Sequence, residues 1–136
     1  MINASLESLK HLSKSLQRVH RLFLDNERRT LESELGHVMT PLEFFNRLTQ
    51  DPALAWMKMF SNLIVEIDDF IDKAKKDGVE ITEADLSSFR TRVDFTLLNP
   101  SSKVAGRYRH HLMNDSEFVL AHADVRVALG PPKNDD

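Results

Sequence analysis

The chain has no cysteine in 136 residues. That excludes a disulfide framework, a thiolate nucleophile and any cysteine-based zinc or iron–sulfur site, and it agrees with a reducing compartment. Only four glycines occur, and none forms the glycine-rich loop that cradles nucleotide phosphates. Apolar runs extend a few residues, well short of the roughly 20 needed to cross a bilayer. The opening Met1-Ile2-Asn3-Ala4-Ser5 begins an amphipathic pattern and lacks the basic-then-apolar layout of a secretory signal. Charge of one sign is lacking too: the formal net charge is −3, too small to imply nucleic-acid or acidic-membrane binding. A soluble, cytoplasmic protein with no membrane attachment is the expectation.

What is present reads as helix. Apolar residues at 41% and charged residues at 29% are ordinary globular proportions, and the length suits one domain with a real core. Leu6, Leu9, Leu12, Leu16, Val19 and Phe23 step by three and four, the mark of one apolar helix face. The stripe continues more weakly through Leu31 and Leu35 to Gly36, which predicts one long helix from Ser5 to Leu35, continuous or kinked near Asp25-Asn26. Thr40-Pro41-Leu42-Glu43 predicts a second start, with Thr40 as cap, Glu43 closing a capping box, and Met39 and Phe44 as a hydrophobic staple. It ends near Thr49, and Asp51-Pro52 starts the next helix in the same way.

That third helix carries Leu54, Trp56, Met57, Phe60, Leu63, Ile64, Ile67, Phe70, Ile71 and Ala74. The arc is wide, so this helix is expected to be the central, most buried one. Lys73, Lys75 and Lys76 before Gly78 favour its C-terminus. Thr82 caps a fourth, with Ile81 and Leu86 as staple and Leu86, Phe89, Val93 and Leu97 as inner face, ending at Asn99-Pro100. Ser101 or Ser102 opens a fifth bearing Val104, Ala105, Tyr108, Leu112 and Met113. Asn114 is the expected cap of the sixth, with Glu117 closing the box and Met113 stapling to Phe118; Gly130-Pro131-Pro132 stops it. No segment shows a strand period. The fold class is therefore all-α: a single-domain helical bundle of about six helices, two long and the rest short, over residues 1–130, followed by a mobile tail over 131–136.

The run Thr40-Pro41, then Asp51-Pro52-Ala53-Leu54-Ala55-Trp56, then Ser61-Asn62-Leu63-Ile64-Val65-Glu66-Ile67-Asp68-Asp69 resembles a group of small uncharacterised bacterial proteins with a TP…DPxxAW…SxLIVEID pattern. Ala121-His122-Ala123-Asp124-Val125-Arg126 is similar to their C-terminal segment. The resemblance is firm over the middle third and loose elsewhere. It implies a bacterial helical protein and transfers no activity, cofactor or catalytic residue.

Candidate sites follow from the polar residues. Glu66, Asp68, Asp69 and Asp72 form an acidic block whose members lie three or four apart and can offer oxygen ligands to a divalent cation. The Glu-x-x-His repeat of carboxylate-bridged metal bundles is missing, so a solvated or arginine-paired face is the simpler reading. Asp68 and Asp72 are the metal candidates. Asp68 sits among Ile64, Ile67 and Ile71 and, if buried, needs a partner such as an arginine from another helix. Of the six histidines (His11, His20, His37, His110, His111 and His122), none forms a metal-ligand spacing. His122 alone sits squarely on an apolar face, which predicts a neutral ring bonded to a core acceptor.

Ser101, Ser102, Lys103 and Arg107 are the anion-site candidate, because a helix start offers unpaired N–H groups and positive potential. Serine there is equally an ordinary cap. Lys10, Lys14, Arg18 and Arg21, with Arg107, Tyr108, Arg109, His110 and His111, would follow a nucleic-acid backbone if they shared a face. The acidic net charge and the lack of a recognition helix argue instead for internal ion pairs. Phe44, Phe45, Trp56, Phe60 and Phe70 read as core, or as a groove for a partner helix.

No nucleophile constellation, phosphate loop or metal motif emerges, and no cofactor is implied. The expected function is a non-catalytic protein-interaction or regulatory module, binding another protein or its own copy. The alternative is a bundle binding a small anionic ligand or a metal ion, with enzymatic activity open.

Overall fold

The structure, a computed structural model, describes residues 3–130. The expectation of a mobile tail over 131–136 lies outside these residues. Asn3 begins the first helix by accepting a hydrogen bond from the Leu6 N–H at 3.0 Å. From there α1 runs unbroken from Ala4 to Leu35, about 48 Å at 1.5 Å per residue. Asp25 and Asn26 pass within it without interruption. Gly36 ends it at φ +79°, a left-handed backbone that costs a side chain dearly, with its N–H bonded to the Glu32 carbonyl.

Helix α2 spans Pro41–Gln50, and Thr40 caps it by accepting from the Glu43 N–H at 3.1 Å. The Glu43 carboxylate lies 3.3 Å from the Thr40 hydroxyl, so it meets the cap's side chain instead of completing the reciprocal backbone bond. The predicted third helix is two elements. Pro52–Met57 winds as a 3-10 helix capped by Asp51, and α3 follows over Lys58–Asp77. The tighter winding has a packing reason: side chains three apart eclipse in a 3-10 helix, which puts Leu54 and Met57 on the same face, where both are buried.

Helix α4 spans Glu83–Leu98 and has the full capping box, Thr82 and Asp85 each bonding the other's backbone N–H. Helix α5 spans Lys103–Asn114, and α6 spans Ser116–Leu129. The cap of α6 is Asp115, not Asn114. Its carboxylate accepts from the Glu117 and Phe118 N–H groups, whereas Asn114 completes α5 and donates to the His110 carbonyl at 2.8 Å. Met113 stands 75% exposed and staples nothing. Asparagine and aspartate cap equally well, so the spacing alone places this boundary one residue early.

The centre of the bundle is α1, correcting the expectation for α3. Leu9, Leu12, Leu16, Val19 and Phe23 along it have no exposed surface. Helix α6 lies antiparallel along one flank, with Arg18 bonded to Asp124 and Asn26 to Asp115. Helix α3 lies antiparallel along the other, with Ser13 bonded to Asp68 and His20 to Ser61. Helices α4 and α5 close the remaining side. One contiguous core results, centred on Phe23, Phe60, Tyr108 and Phe118. Each such side chain contributes about 1.5–3 kcal/mol by leaving water. The molecule is thus a single all-α domain, with no strand among the described residues and no helix there long and apolar enough to cross a membrane.

Candidate functional site

The bundle holds its most concentrated polar chemistry where α1, α5 and α6 meet. Glu27 occupies the next step of the α1 apolar stripe after Phe23 and is only 4% exposed. Arg107 and His111, one turn apart on α5, converge on it. The Arg107 Nε–H and the His111 Nε2–H donate to the same oxygen, Oε1, at 2.7 and 2.9 Å. Burial alone would raise the Glu27 carboxyl, but hydrogen bonds and charge from His111 and Arg107 outweigh it and hold the group below its ordinary range. The His111 ring stands edge-on to Phe23 at 5.3 Å and against Phe118 at 5.5 Å.

One turn away a second polar pair is sunk in the same core. Tyr108 has no exposed surface, and its hydroxyl lies 2.5 Å from His122 Nδ1. Burial pushes the Tyr108 phenol far above its usual value and lowers His122, with the Arg126 charge adding to the latter. Both groups are therefore neutral at pH 7. The single phenolic proton finds its acceptor at Nδ1, leaving the imidazole proton on Nε2. His20 is lowered by burial as well, with Nε2 at 2.7 Å from the Ser61 hydroxyl.

A carboxylate–imidazole pair beside a tyrosine would be competent for proton transfer if a substrate could reach it. Here the Glu27 and His111 side chains are 6% and 5% exposed. Three surface clefts among the described residues lie elsewhere. One of about 460 Å³ sits between the end of α1 and α2, lined by Leu35, Met39 and Arg47. Another of about 530 Å³ separates α3 from α4, lined by Met59, Leu63, Arg92 and Phe95. A third of about 420 Å³ lies between α1 and α3. The buried cluster locks three helices together and faces none of these clefts.

The anion candidates do not converge. The Ser102 hydroxyl is buried and donates to the Thr96 carbonyl at 2.7 Å, leaving the α5 start without a side-chain cap. The Ser101 N–H is taken by Asn99 Oδ1 at 2.8 Å, and Arg107 points to Glu27. Lys103 remains exposed. The metal candidates Asp68 and Asp72 border the third cleft together with Lys10, Lys14 and Lys75. Asp68 is half-buried, and its partner is not an arginine: the Ser13 hydroxyl donates to it at 2.5 Å, and Gln17 Nε2 lies 3.4 Å away. Among the described residues no group of three or more acidic or histidine side chains is placed to hold a metal ion. The two basic runs separate, since Tyr108 and His111 are buried and Arg18 pairs with Asp124 at 2.8 Å. The aromatic group also divides: Phe44 and Phe60 are buried, Trp56 and Phe70 are half-buried, and Phe45 is 60% exposed.

Exposed apolar side chains occur in several places, among them Leu35, Val38, Leu42 and Phe45 from the end of α1 through the linker into α2, and Met59 and Phe95 beside the cleft between α3 and α4. Helix α6 is another, and it is apolar on two opposite faces. Phe118, Ala121, His122, Val125 and Ala128 face the core, while Leu120 and Val127 stand 64% and 70% exposed on the opposite face. Exposed Glu117, Asp124 and Arg126 flank that outer face, so α6 is apolar on two sides with charge between them, and an exposed apolar face on a helix is a surface another element can cover.

Comparison with protein-family models, with curated proteins and with solved structures found no match to this chain.

Proposed function

We propose that this chain is a non-catalytic protein-interaction module of a bacterial cytoplasm, acting by presenting the outer face of α6 to a helix of another protein chain. The observation that carries the reading is that double-sided apolar helix. Its inner face completes the core; its outer face holds Leu120, Ala123 and Val127 in water. Covering Leu120 and Val127 would recover about 1–2 kcal/mol each, the kind of gain a helix-packing interface uses. The strongest acid–base group, around Glu27 and His111, is closed off inside the bundle, which favours binding over catalysis. The cysteine-free composition supports the compartment, and the resemblance of the Thr40–Asp69 run supports the bacterial source.

Native mass spectrometry of gently purified protein tests this. Wild type should carry a second polypeptide, its own or another, and Leu120→Glu combined with Val127→Glu should release it without loss of helical content. Identical bare monomers from both proteins would refute the reading.

A further inference from the structure

We infer that the chain covering α6 is a second copy of this protein, its own α6 packed antiparallel across a two-fold axis close to Ala123. The inference rests on the interaction-module reading and names its partner. Residues advance by about 100° around a helix, so Ser116, Leu120, Ala123 and Val127 form one line down the middle of the exposed face, and all four are exposed. Their spacing of four, three and four is the a/d rhythm of a helix-pairing seam. No charge falls on it.

Charge lies instead at the two ends, with opposite sign. The N-terminal end of α6 carries Asp115 and Glu117. The C-terminal end carries Arg126 and, from α4, Arg90, whose Nε–H donates to the Ala128 carbonyl at 3.0 Å and whose guanidinium lies about 3.5 Å from where a side chain on Gly130 would begin. Antiparallel pairing centred between Ala123 and Asp124 lays Leu120 on the partner's Val127. It also sets Glu117 against the C-terminal end that carries the partner's Arg90, and it opposes the two helix dipoles. Parallel pairing would stack acid on acid and align the dipoles. At the axis Asp124 approaches its own symmetry mate, but Arg18 already neutralises each at 2.8 Å. The flank formed by Val119 and Arg126 lets the arginine stem cover the partner's valine without a like-charge clash. The surface thus supplies both halves of its own complement.

Since the chain has no cysteine, a single introduced one reports the geometry. Wild type should sediment at twice 15.6 kDa. Ala123→Cys should cross-link to itself under mild oxidation, because a residue near the axis meets its own copy within disulfide reach. Leu120→Cys should not cross-link to itself, yet should cross-link when mixed with Val127→Cys. Ala123→Arg should weaken the dimer at least tenfold with an unchanged far-ultraviolet spectrum. Self-cross-linking of Leu120→Cys, or a dimer untouched by Ala123→Arg, would overturn the inference. A monomeric wild type overturns it as well. In that case a co-purifying protein released by Ala123→Arg would leave the interaction module standing, and its absence would remove both.

Discussion

Replacing Glu27 by alanine separates three groups that the core brings together, and the structure allows the cost to be worked out. The substitution removes a carboxylate that accepts charge-assisted bonds from Arg107 and His111 at 2.7 and 2.9 Å. Arg107 has 33% of its side chain exposed and can turn to water, so most of its loss is recovered. His111 has 5% and cannot. Its ring nitrogen is left buried without a partner, which costs about 1–3 kcal/mol. The vacated side chain leaves a gap beside Phe23 that adds to this. A total of about 3 kcal/mol is expected, equivalent to roughly 10 °C in Tm for a domain of this size. Urea unfolding followed by circular dichroism at pH 7 would measure it. The pH dependence supplies an independent check. The folded Glu27 carboxyl lies below its ordinary value of 4.5, so its contribution is present above that value and is lost as pH falls through the folded one. The gap between wild type and Glu27→Gln should therefore narrow below about pH 4.5. A Glu27→Ala loss under about 0.5 kcal/mol, the level of an ordinary surface change, would refute the account of the cluster as a lock between α1 and α5.

Tyr108→Phe should cost about 1–2 kcal/mol, since it leaves His122 Nδ1 unbonded in the core; a neutral result would show that the pair contributes nothing. His20 and His122 are both lowered from 6.5 by burial, so their stabilising neutral forms count fully above pH 6.5. Their contribution is lost as pH falls from there through the folded values. Urea midpoints should decline from pH 7 to pH 5, and less steeply in a variant carrying both Tyr108→Phe and His122→Phe; parallel declines would argue against His122 as a source. Thr82→Ala should cost about 1 kcal/mol or more and Thr40→Ala less, because only Thr82 holds a complete capping box. Equal melting temperatures for the two would contradict that ordering.

Much of this architecture is legible in the residues. Thr40, Thr82, Gly36 and Gly78 mark boundaries because caps and left-handed stops are local chemistry, decided within a few residues. The three-and-four stepping from Leu9 to Phe23 identifies the buried face of α1 for the same reason. The sequence pattern does not single out the buried polar cluster, though it carries a signal for it: Glu27 sits four residues beyond Phe23 on the apolar stripe, where a charge demands a partner. What no spacing could supply was which helix brings it. In the sequence Arg107 falls among the anion candidates and also, with His111, in a basic run, because neighbours along the chain do not reveal that both point inward to α1. The 3-10 segment was hidden by a similar ambiguity, since an aspartate–proline start serves either winding. That α1 and not α3 forms the centre depends on three-dimensional neighbours, which apolar width along one helix does not report.

The pairing of α1 with α6 joins residues far apart in the chain; Arg18 and Asp124 are separated by 106 positions. On a ribosome adding about 5–20 residues per second, α1 would wait roughly 5–20 s for the helix that covers it. During that interval Leu12, Leu16 and Val19 lack one wall of their burial site, while α3 can already dock on the other flank. The nascent chain therefore passes through a stage with α1 half-covered, in which a hydrophobic ridge lies open to chaperones or to neighbouring chains on the same message. Deleting α6 would hold the protein at that stage.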